Sequence, residues 1–399
     1  MTPRTTKARS AVAAAIGAGA ILVAGCSDAG QNAAEASASA ASAEAERAAA
    51  STAEQASAAA AGPYAVGRRT INITDAERGG RTFPADIWYP VDPATTGGAA
   101  PVEYSFLPGL GYTSEVALAD APAAEGNFPL VVYSHGGGGF RWVATFFTEF
   151  LASKGYVVVS PDHPGSTALD LLSGAAVTDE ANANNRPPDI TATLDTVLAA
   201  DTDPADPLTG IIDETRVALT GHSWGGFTSL ATVAGHSNSV GTTVPDDRIK
   251  ALVLMAPYSE PLTEAELAKV DVPVLVVSST GDQTTPIATN TEPVVELVPG
   301  RPLLRVDIDG GSHNSFTDVC TLRDSVAANP NVPAAVTAEL DRGAKEACDP
   351  AVLDVEVIHE ITNTYSAAFL ATELEGSSEY DDMLACVAPP QHAICTVVP

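Results

Sequence analysis

A serine flanked on both sides by glycines is the first feature of the chain with chemical meaning. The segment Gly221-His222-Ser223-Trp224-Gly225 follows a predicted strand, Arg216–Thr220, and precedes a predicted helix, Phe227–Ala234. Glycine at both ends permits a sharp turn that presents the serine hydroxyl above a sheet edge and at a helix N-terminus. The pattern predicts that Ser223 is a nucleophile for acyl transfer through a covalent intermediate. The alternative is a glycine-rich packing turn.

The acid that orients the catalytic base is expected after the serine and before the histidine. Asp282 follows a predicted buried strand, Val272–Ser278, at the strand end where the sites of parallel sheets are built. It is therefore the predicted acid. An aspartate at this position would equally cap the segment that begins at Thr284. Glu260 and Asp271 are the other candidates.

The general base is expected among the histidines that follow Asp282. His313 lies in the glycine-containing loop Asp309–Phe316, directly after a predicted strand, where its imidazole can reach over the nucleophile. His359 lies on a predicted helix, and His392 lies in a tail between two cysteines. His313 is therefore the predicted base.

An oxyanion intermediate needs hydrogen-bond donors. The first predicted donor is the backbone N–H of Trp224, the residue after the nucleophile. The second is expected from the loop His135–Phe140, which follows the predicted strand Pro129–Ser134. Its consecutive glycines let a backbone amide approach the substrate without a Cβ clash. Gly137 is the predicted donor, and Gly136 is the alternative.

Short apolar runs alternate with helical patterns along most of the chain, which is typical of parallel βαβ units. A predicted antiparallel hairpin, Arg69–Ile73 with Thr82–Tyr89, comes first, and the less regular stretch Val91–Asn127 follows it. The later predicted strands are Pro129–Ser134, Gly155–Ser160, Arg216–Thr220, Ile249–Met255, Val272–Ser278 and Leu303–Ile308; the predicted helices are Thr145–Lys154, Ile190–Ala200, Phe227–Ala234 and Val357–Leu374. This order predicts one α/β domain with a doubly wound, mostly parallel sheet, an N-terminal antiparallel hairpin and helices on both faces.

The N-terminus has the composition of an export signal. A basic segment precedes the apolar run Ala11–Ala24, which is too short to span a bilayer as a permanent helix. Small residues then lead to Cys26, a pattern that resembles the lipobox of bacterial lipoproteins, in which the cysteine carries lipid. The sequence predicts a signal peptide over residues 1–25, lipidation of Cys26 and an extracytoplasmic protein that is anchored at the cell membrane or secreted. An ordinary secretory leader is the alternative.

The segment after the predicted signal peptide has a biased composition. Residues 26–62 are nearly all Ala, Ser, Glu and Gln and contain no aromatic residue. A stretch of this composition is unable to build a hydrophobic core and is typical of a linker. The catalytic domain is therefore expected over residues 63–399.

The net charge and the number of cysteines indicate which partners and which covalent links the protein can have. The chain has 50 acidic and 20 basic residues and a net charge of −30, which excludes nucleic acid as a partner. Besides Cys26, four cysteines remain in a chain expected to be exported, so disulfides are expected. Sequence proximity favours the pairs Cys320–Cys348 and Cys386–Cys395. The spacing matches no metal-binding pattern, the predicted chemistry needs no metal or cofactor, and a monomer is the default expectation.

Several segments together resemble the platelet-activating factor acetylhydrolase-like branch of the α/β-hydrolases. They are Gly62–Gly67, Asp86–Pro90, Phe128–Gly136, Gly155–Gly165, Arg186–Asp189, Gly221–Gly226 and Gly311–Asp318. The resemblance extends from about Gly62 to Leu384 and implies the α/β-hydrolase fold. Members of this branch cleave short or oxidised acyl chains from phospholipids. Related branches include dienelactone hydrolase-like esterases, chlorophyllases and cutinase-like polyester hydrolases.

The resemblance implies the roles given above for Ser223, His313, Gly137 and Trp224. Trp224 departs from the family pattern, because relatives often have Phe or Met there. Its indole would crowd the acyl pocket and favour short acyl groups or an aromatic ring.

The position of the acid is a second departure. Some family members place it after the preceding strand, but Leu252–Glu260 contains no aspartate. This favours Asp282 as the acid.

The sequence thus predicts a serine carboxylic-ester hydrolase that acts on short-chain acyl esters of small molecules or lipids. A polyester hydrolase on the same fold is the first alternative, and a peptidase is another. A catalytically inactive surface binding protein of the same fold is an alternative of a different class. The intact set of nucleophile, base, acid and glycine loop argues against the last.

Overall fold

The computed structural model describes residues 27–107, 110–327, 329 and 332–399. The chain divides into two compact units, Met1–Glu46 and Arg47–Pro399. The described residues of the first unit belong to a helix, α1 (Ser27–Ala59). The predicted signal peptide and Cys26 lie outside the described residues. The second unit contains the candidate site.

One large sheet organises the second unit. Its strands are β1 (Ala65–Asp75), β2 (Arg81–Val91), β3 (Pro101–Leu107), β4 (Leu110–Ala119), β5 (Phe128–Ser134), β6 (Val157–Pro161), β7 (Ile212–His222), β10 (Ile249–Met255), β11 (Val274–Ser279), β12 (Leu303–Ile308) and β13 (Ala393–Val398). Two further strands, β8 (His236–Ser237) and β9 (Thr242–Thr243), form a separate pair. The order in the sheet is β13-β12-β11-β10-β7-β5-β6-β2-β1-β4-β3. The strands from β12 to β6 in this order are parallel.

Helices cover both faces of this sheet. They are α2 (Thr145–Lys154), α3 (Ala168–Ser173), α4 (Asp179–Thr202), α5 (Trp224–Ala234), α6 (Glu264–Leu267), α7 (Ile287–Leu297), α8 (Val319–Ala327), α9 (Ala334–Ala347), α10 (Val355–Glu375) and α11 (Asp381–Leu384). Side chains alternate across β5, so that Val131 packs in a core with α2 and α10, and Val132 packs in a second core with α4, α5 and α7. Burial on both faces explains why the central strands are continuous apolar runs.

The predicted fold class is confirmed: the sheet is mostly parallel, doubly wound and opened by the antiparallel hairpin β1–β2. The parallel register brings the C-terminal ends of β7, β10, β11 and β12 to one edge. His222 lies opposite Met255, and Ser279 lies opposite Ile308. Residues that follow these strands therefore lie close together.

Two regions have strands where the sequence pattern indicated none. The Pro-, Gly- and Ala-rich stretch Val91–Asn127 contains β3 and β4, which pair antiparallel and are held by an aromatic cluster. In that cluster the Tyr104 ring stacks on Trp142 at 5.6 Å, and the Tyr104 hydroxyl accepts a hydrogen bond from the Trp88 indole. These contacts come from distant residues, so local periodicity did not reveal them.

A final strand also follows the last predicted one. Strand β13 pairs antiparallel with β12, and the disulfide Cys386–Cys395 fixes it to the preceding turn. Its side chains alternate weakly, with Ile394 and Val397 about half exposed, because β13 is an edge strand.

Helix α1 differs from the expected linker. Residues from Arg47 onward belong to the same compact unit as the sheet. Ala58 and Ser51 are fully buried, and the Ser51 hydroxyl donates to the Val387 carbonyl oxygen. Glu54 accepts from the Met383 amide at 2.6 Å. Alanine-rich composition supports the helix, and these specific contacts hold it in place.

Candidate active site

Ser223 lies on the turn between β7 and α5 with backbone angles φ 57° and ψ −119°, a conformation rare for any residue other than glycine. A Cβ on Gly225 would lie 1.8 Å from the Ser134 carbonyl oxygen, and one on Gly221 would lie 2.3 Å from Gly225. Both positions therefore require glycine. The Ser223 amide donates to Met255 of β10 at 3.0 Å, which fixes the turn over the sheet edge.

His313 and Asp282 form a buried pair. The His313 Nδ1–H donates to Asp282 Oδ2 at 2.8 Å, and the two residues are 5% and 4% exposed. The backbone amides of Thr284 and Thr285 donate to Asp282 Oδ1, each at 2.8 Å. The carboxylate thus caps the next turn and binds the histidine at the same time. Glu260, a weaker candidate acid, is near Asn290 instead.

The Asp282 carboxyl is strongly acidic. Burial alone would raise its pKa, but the hydrogen bond and charge of His313 and the bonds from Thr285 lower it to about 2. Asp282 is therefore ionised at neutral pH. An ionised carboxylate on Nδ1 fixes the tautomer that leaves Nε2 as the basic nitrogen.

Thr285 is a site residue that the sequence pattern did not single out. Its hydroxyl donates to Asp282 Oδ2 at 2.8 Å, lies 3.1 Å from His313 Nδ1, and lies 3.1 Å from the Ala256 carbonyl oxygen. It therefore braces the acid against the loop after β10. Its position three residues after Asp282 is the only signal in the sequence.

The glycine loop faces the nucleophile. A Cβ on Gly137 would lie 2.7 Å from Trp224 Cδ1, and one on Gly136 would lie 3.3 Å from Ser223 Cβ. The Gly138 and Gly139 amides donate to Ser166 and Gly136 carbonyl oxygens, so they are not oxyanion donors.

The other predicted oxyanion donor begins a helix. Trp224 is the first residue of α5, and the first N–H groups of a helix have no acceptor inside the helix. Gly136 and Gly137 thus remain the candidates in the loop for the second oxyanion donor, and the Trp224 amide is free of an acceptor within its helix.

His135, His163 and His222 are buried beside the glycine loop, the turn after β6 and the Ser223 turn. Their positions in the sequence favour a structural role. His163 lies between Ser134 Oγ at 3.0 Å and Asp189 Oδ2 at 3.1 Å, and His222 Nε2 lies 2.9 Å from the His313 carbonyl oxygen. Burial lowers the pKa of His163 to about 4 and that of His222 to about 3, and it lowers the pKa of His135 well below its usual range. These side chains are neutral hydrogen-bonding groups near pH 7.

Ser223 and His313 line one cavity of about 720 Å³ together with the glycine loop and Trp224. One wall comes from α3 and the start of α4. The other comes from α8 and α9, which contribute Leu322 and Leu340 among other apolar residues. Neither His359 nor His392 lines this cavity. A pocket of this size with a few polar groups is typical of a small-molecule site.

The two helices of the α8–α9 wall are joined to each other by a disulfide, and the wall is joined to the histidine loop by a hydrogen bond. The disulfide Cys320–Cys348 joins the start of α8 to the end of α9, and the Asn314 side chain donates to Gly343 of α9 at 3.2 Å. Asp318, between the loop and α8, accepts from the Thr145 hydroxyl at 2.7 Å at the start of α2. Both disulfides expected from the sequence are present in the structure.

Within the described residues, no cluster of His, Cys, Asp and Glu side chains has the arrangement of a metal site. In the same part of the chain, every helix is too short or too polar to cross a membrane.

Comparison with known proteins gives three matches. The family described as PET hydrolase-like matches residues 142–326. Platelet-activating factor acetylhydrolase from Cavia porcellus is 23% identical over 233 residues, and the match covers 50% of this chain and 50% of that protein. A ferulic acid esterase from Streptomyces cinnamoneus superposes with a TM-score of 0.57 at 22% identity, covering 84% of this chain and 97% of that chain.

The fold is that of the α/β-hydrolases. The matched family and the two similar proteins are described as ester hydrolases, and the chain is similar to them over the parts given above. The chain spans about half the length of the acetylhydrolase that it matches.

Proposed function

We propose that the protein is an extracytoplasmic serine esterase that cleaves short-chain acyl esters through a Ser223–His313–Asp282 triad. The observation that carries the proposal is that His313, hydrogen-bonded to the buried Asp282, lines the same cavity as a serine on a strained turn. A merely structural turn has no need of a base that is oriented by an ionised acid.

The proposed reaction has two halves. His313 accepts the Ser223 proton while Ser223 Oγ attacks the acyl carbon, and the amides of Gly137 and Trp224 stabilise the oxyanion. The imidazolium then returns the proton to the leaving alcohol, and an acyl-enzyme remains. Water activated by His313 attacks this ester and releases the acid. Asp282 stabilises the imidazolium in both halves.

Trp224 supports the preference for short acyl groups. Its ring lines the cavity and is held edge-on against Tyr258 at 5.0 Å and Phe227 at 5.3 Å. A fixed indole beside the nucleophile limits the room for an acyl chain. Trp224→Ala should therefore raise the octanoate-to-acetate ratio of kcat/KM about 10-fold. An unchanged ratio in a folded variant would show that the indole does not bound the acyl site.

A polyester is the second candidate substrate. The PET hydrolase-like family match at residues 142–326 includes the nucleophile, the acid and the base, and it favours this alternative. The acetylhydrolase relative favours an acetyl ester of a lipid instead.

The proposed location depends on the N-terminal pattern. Lipid on Cys26 would hold the enzyme at the outer side of a membrane, whereas an ordinary leader would release it. Labelled palmitate should be incorporated into the expressed chain and lost with Cys26→Ser. Export without label would identify a secreted protein.

The test of function is hydrolysis of p-nitrophenyl esters from acetate to palmitate by the full chain, with Ser223→Ala as the matched control. Activity that is highest for acetate or butyrate and lost in the variant is the expected result. The same preparations are then offered polyester film. Preference for the film would select the second candidate, and a folded protein inactive on every ester would favour a binding role.

A further inference from the structure

Arg186, in the first half of α4, is a fully buried arginine without an ion pair. Among the described residues, no carboxylate forms a salt bridge with its guanidinium, because the Asp189 carboxylate one turn further along is bound by Arg78, Arg81 and His163. A buried cation without a counter-charge costs free energy. Its presence therefore calls for a function that repays the cost.

The acceptors that Arg186 does contact are neutral and belong to the back of the glycine loop. Nη2 donates to the His135 carbonyl oxygen, and Nη1 donates to Ser166 Oγ at 3.3 Å. The Ser166 carbonyl oxygen in turn accepts from the Gly138 amide at 2.9 Å. Arg186 thus fixes the loop on both sides of the two glycines that are the candidate oxyanion donors.

The bond to His135 acts on a peptide group beside the nucleophile. The His135 carbonyl and the Gly136 N–H belong to one peptide unit, so a cation on the oxygen polarises the N–H. A Cβ on Gly136 would lie 3.3 Å from Ser223 Cβ. In the described part of the chain, the amides of Gly136 and Gly137 have no acceptor. Arg186 therefore strengthens a donor that is free to receive an oxyanion.

The charge of Arg186 also acts on the side chains around the loop. Burial lowers the pKa of His135 well below its usual range and that of His163 to about 4, and in both the charge of Arg186 is the second cause. A field that disfavours a cation on these imidazoles favours a negative charge near them. Burial lowers the pKa of Arg186 itself to about 9, so the guanidinium is still charged at pH 7.

We propose that Arg186 is a positioning residue of the oxyanion loop, whose unpaired guanidinium holds the loop from behind and favours the negative charge that develops during acyl transfer. A carboxylate partner in the resting protein would cancel this field, whereas its absence leaves the field available to the intermediate. The inference rests on the proposed esterase function and adds to it a residue that does not line the cavity.

Two substitutions separate the charge from the hydrogen bonds. Arg186→Lys keeps a cation, Arg186→Gln keeps a neutral donor, and both side chains are shorter than arginine. The full chain is assayed with p-nitrophenyl acetate at pH 7. Arg186→Gln should lower kcat about 30-fold and leave KM within about twofold, because the charge acts on the intermediate and not on the bound ester. Arg186→Lys should recover most of the loss.

Butylboronic acid gives a readout that a merely structural role would not change. The Ser223 hydroxyl oxygen adds to boron, its proton passes to His313, and the adduct is a tetrahedral boronate anion that resembles the oxyanion intermediate. The inhibition constant should rise in Arg186→Gln by the same factor by which kcat falls. In Arg186→Lys it should stay close to that of the wild type.

The matched control is Arg78→Gln, which removes a cation from the Asp189 cluster at a residue that does not contact the glycine loop. Its kcat and its inhibition constant should equal those of the wild type, and the melting temperature reports the folding of every variant. An unchanged kcat in folded Arg186→Gln, a loss confined to KM, or an equal loss in Arg186→Lys or Arg78→Gln would overturn the role of Arg186.

Arg186→Met is the second neutral variant and should reproduce the effects of Arg186→Gln. Failure of both neutral variants to fold would assign Arg186 to the fold and overturn the proposal. A wild type that neither cleaves the acetate nor binds butylboronic acid would instead overturn the proposed esterase function.

Discussion

Asp282 and Asp318 lie on opposite sides of His313 in the chain, and both carboxylates are buried, yet their pKa values move in opposite directions. Burial by itself would raise the pKa of both carboxyl groups. Around Asp282, the hydrogen bond and charge of His313 and the two hydrogen bonds from Thr285 reverse the effect and lower the pKa to about 2. Around Asp318, burial prevails and raises the pKa to about 6, although Thr145 and Phe146 donate to it.

The two carboxylates have different neighbours. Asp282 contacts His313, which can become cationic, whereas the hydrogen-bond partners of Asp318 are neutral donors, and its own charge acts on a second carboxylate, Glu149. Glu149 accepts from the hydroxyls of Tyr104 at 2.7 Å and Ser114 at 2.8 Å. Burial raises its pKa to about 7, and the charge of Asp318 adds to the increase. At Asp318 and Glu149 the hydrogen-bond donors do not offset the effect of burial on the pKa, whereas at Asp282 the hydrogen bond and charge of His313 and the bonds from Thr285 do.

The largest expected effect is that of removing the charge at Asp282. Asp282→Asn should lower kcat/KM about 10³–10⁴-fold, because the imidazolium loses its counter-charge and the amide imposes the wrong tautomer on His313. Ester hydrolysis measures this, with the melting temperature as the folding control. A loss below about tenfold would mean that another group orients His313.

Removing Asp318 tests the second carboxylate. Asp318→Ala leaves the Thr145 amide and hydroxyl without their acceptor and frees the loop that carries His313. The free energy of unfolding should fall by about 2–4 kcal/mol. Denaturant titration measures it, and Asp318→Asn, which keeps an acceptor oxygen, should recover most of the loss. Equal destabilisation by both variants would show that the charge itself is required.

Glu149→Gln tests the cost of the buried charge. A carboxyl whose folded pKa is raised to about 7, above its ordinary value of 4.5, contributes stability below pH 4.5 that is lost as the pH rises through 7. Glutamine keeps the acceptor oxygen without the charge, so the variant should be more stable than the wild type by about 1–3 kcal/mol at pH 8 and similar near pH 4. Melting curves at both pH values measure this, and a pH-independent difference would contradict it.

The smallest effect concerns the threonine that supports the acid. Thr285→Val removes the hydroxyl that donates to Asp282 while keeping the shape. We expect kcat/KM to fall about 5-fold, as one neutral hydrogen bond is lost. Thr284→Val is the control, since the contact of Thr284 with Asp282 is through its backbone amide. Equal losses in both variants would assign the effect to packing.

The sequence predicted those parts of the molecule whose signal is local. Central strands such as Ile249–Met255 are buried on both faces and appear as apolar runs, and the glycines around Ser223 reflect close backbone approach. Asp282 and His313 could be selected because they follow such strands. The structure joins these two residues, and their catalytic roles remain a proposal.

Other features depend on partners that are distant in the chain. Strand β13 is defined by pairing with β12, and Thr285 matters only because β10, β11 and β12 end at one edge. Helix α1 is held by residues more than three hundred positions later, such as Met383. Local composition carries no information about these contacts.

Strand β13 has a consequence for handling the enzyme. It covers the β12 edge, whose backbone groups would otherwise offer a template for pairing with another molecule. Its six residues are held there by a disulfide that closes only a short loop, between Cys386 and Cys395. We therefore expect reduction of Cys386–Cys395 to make β13 easier to detach and the exposed β12 edge to promote aggregation.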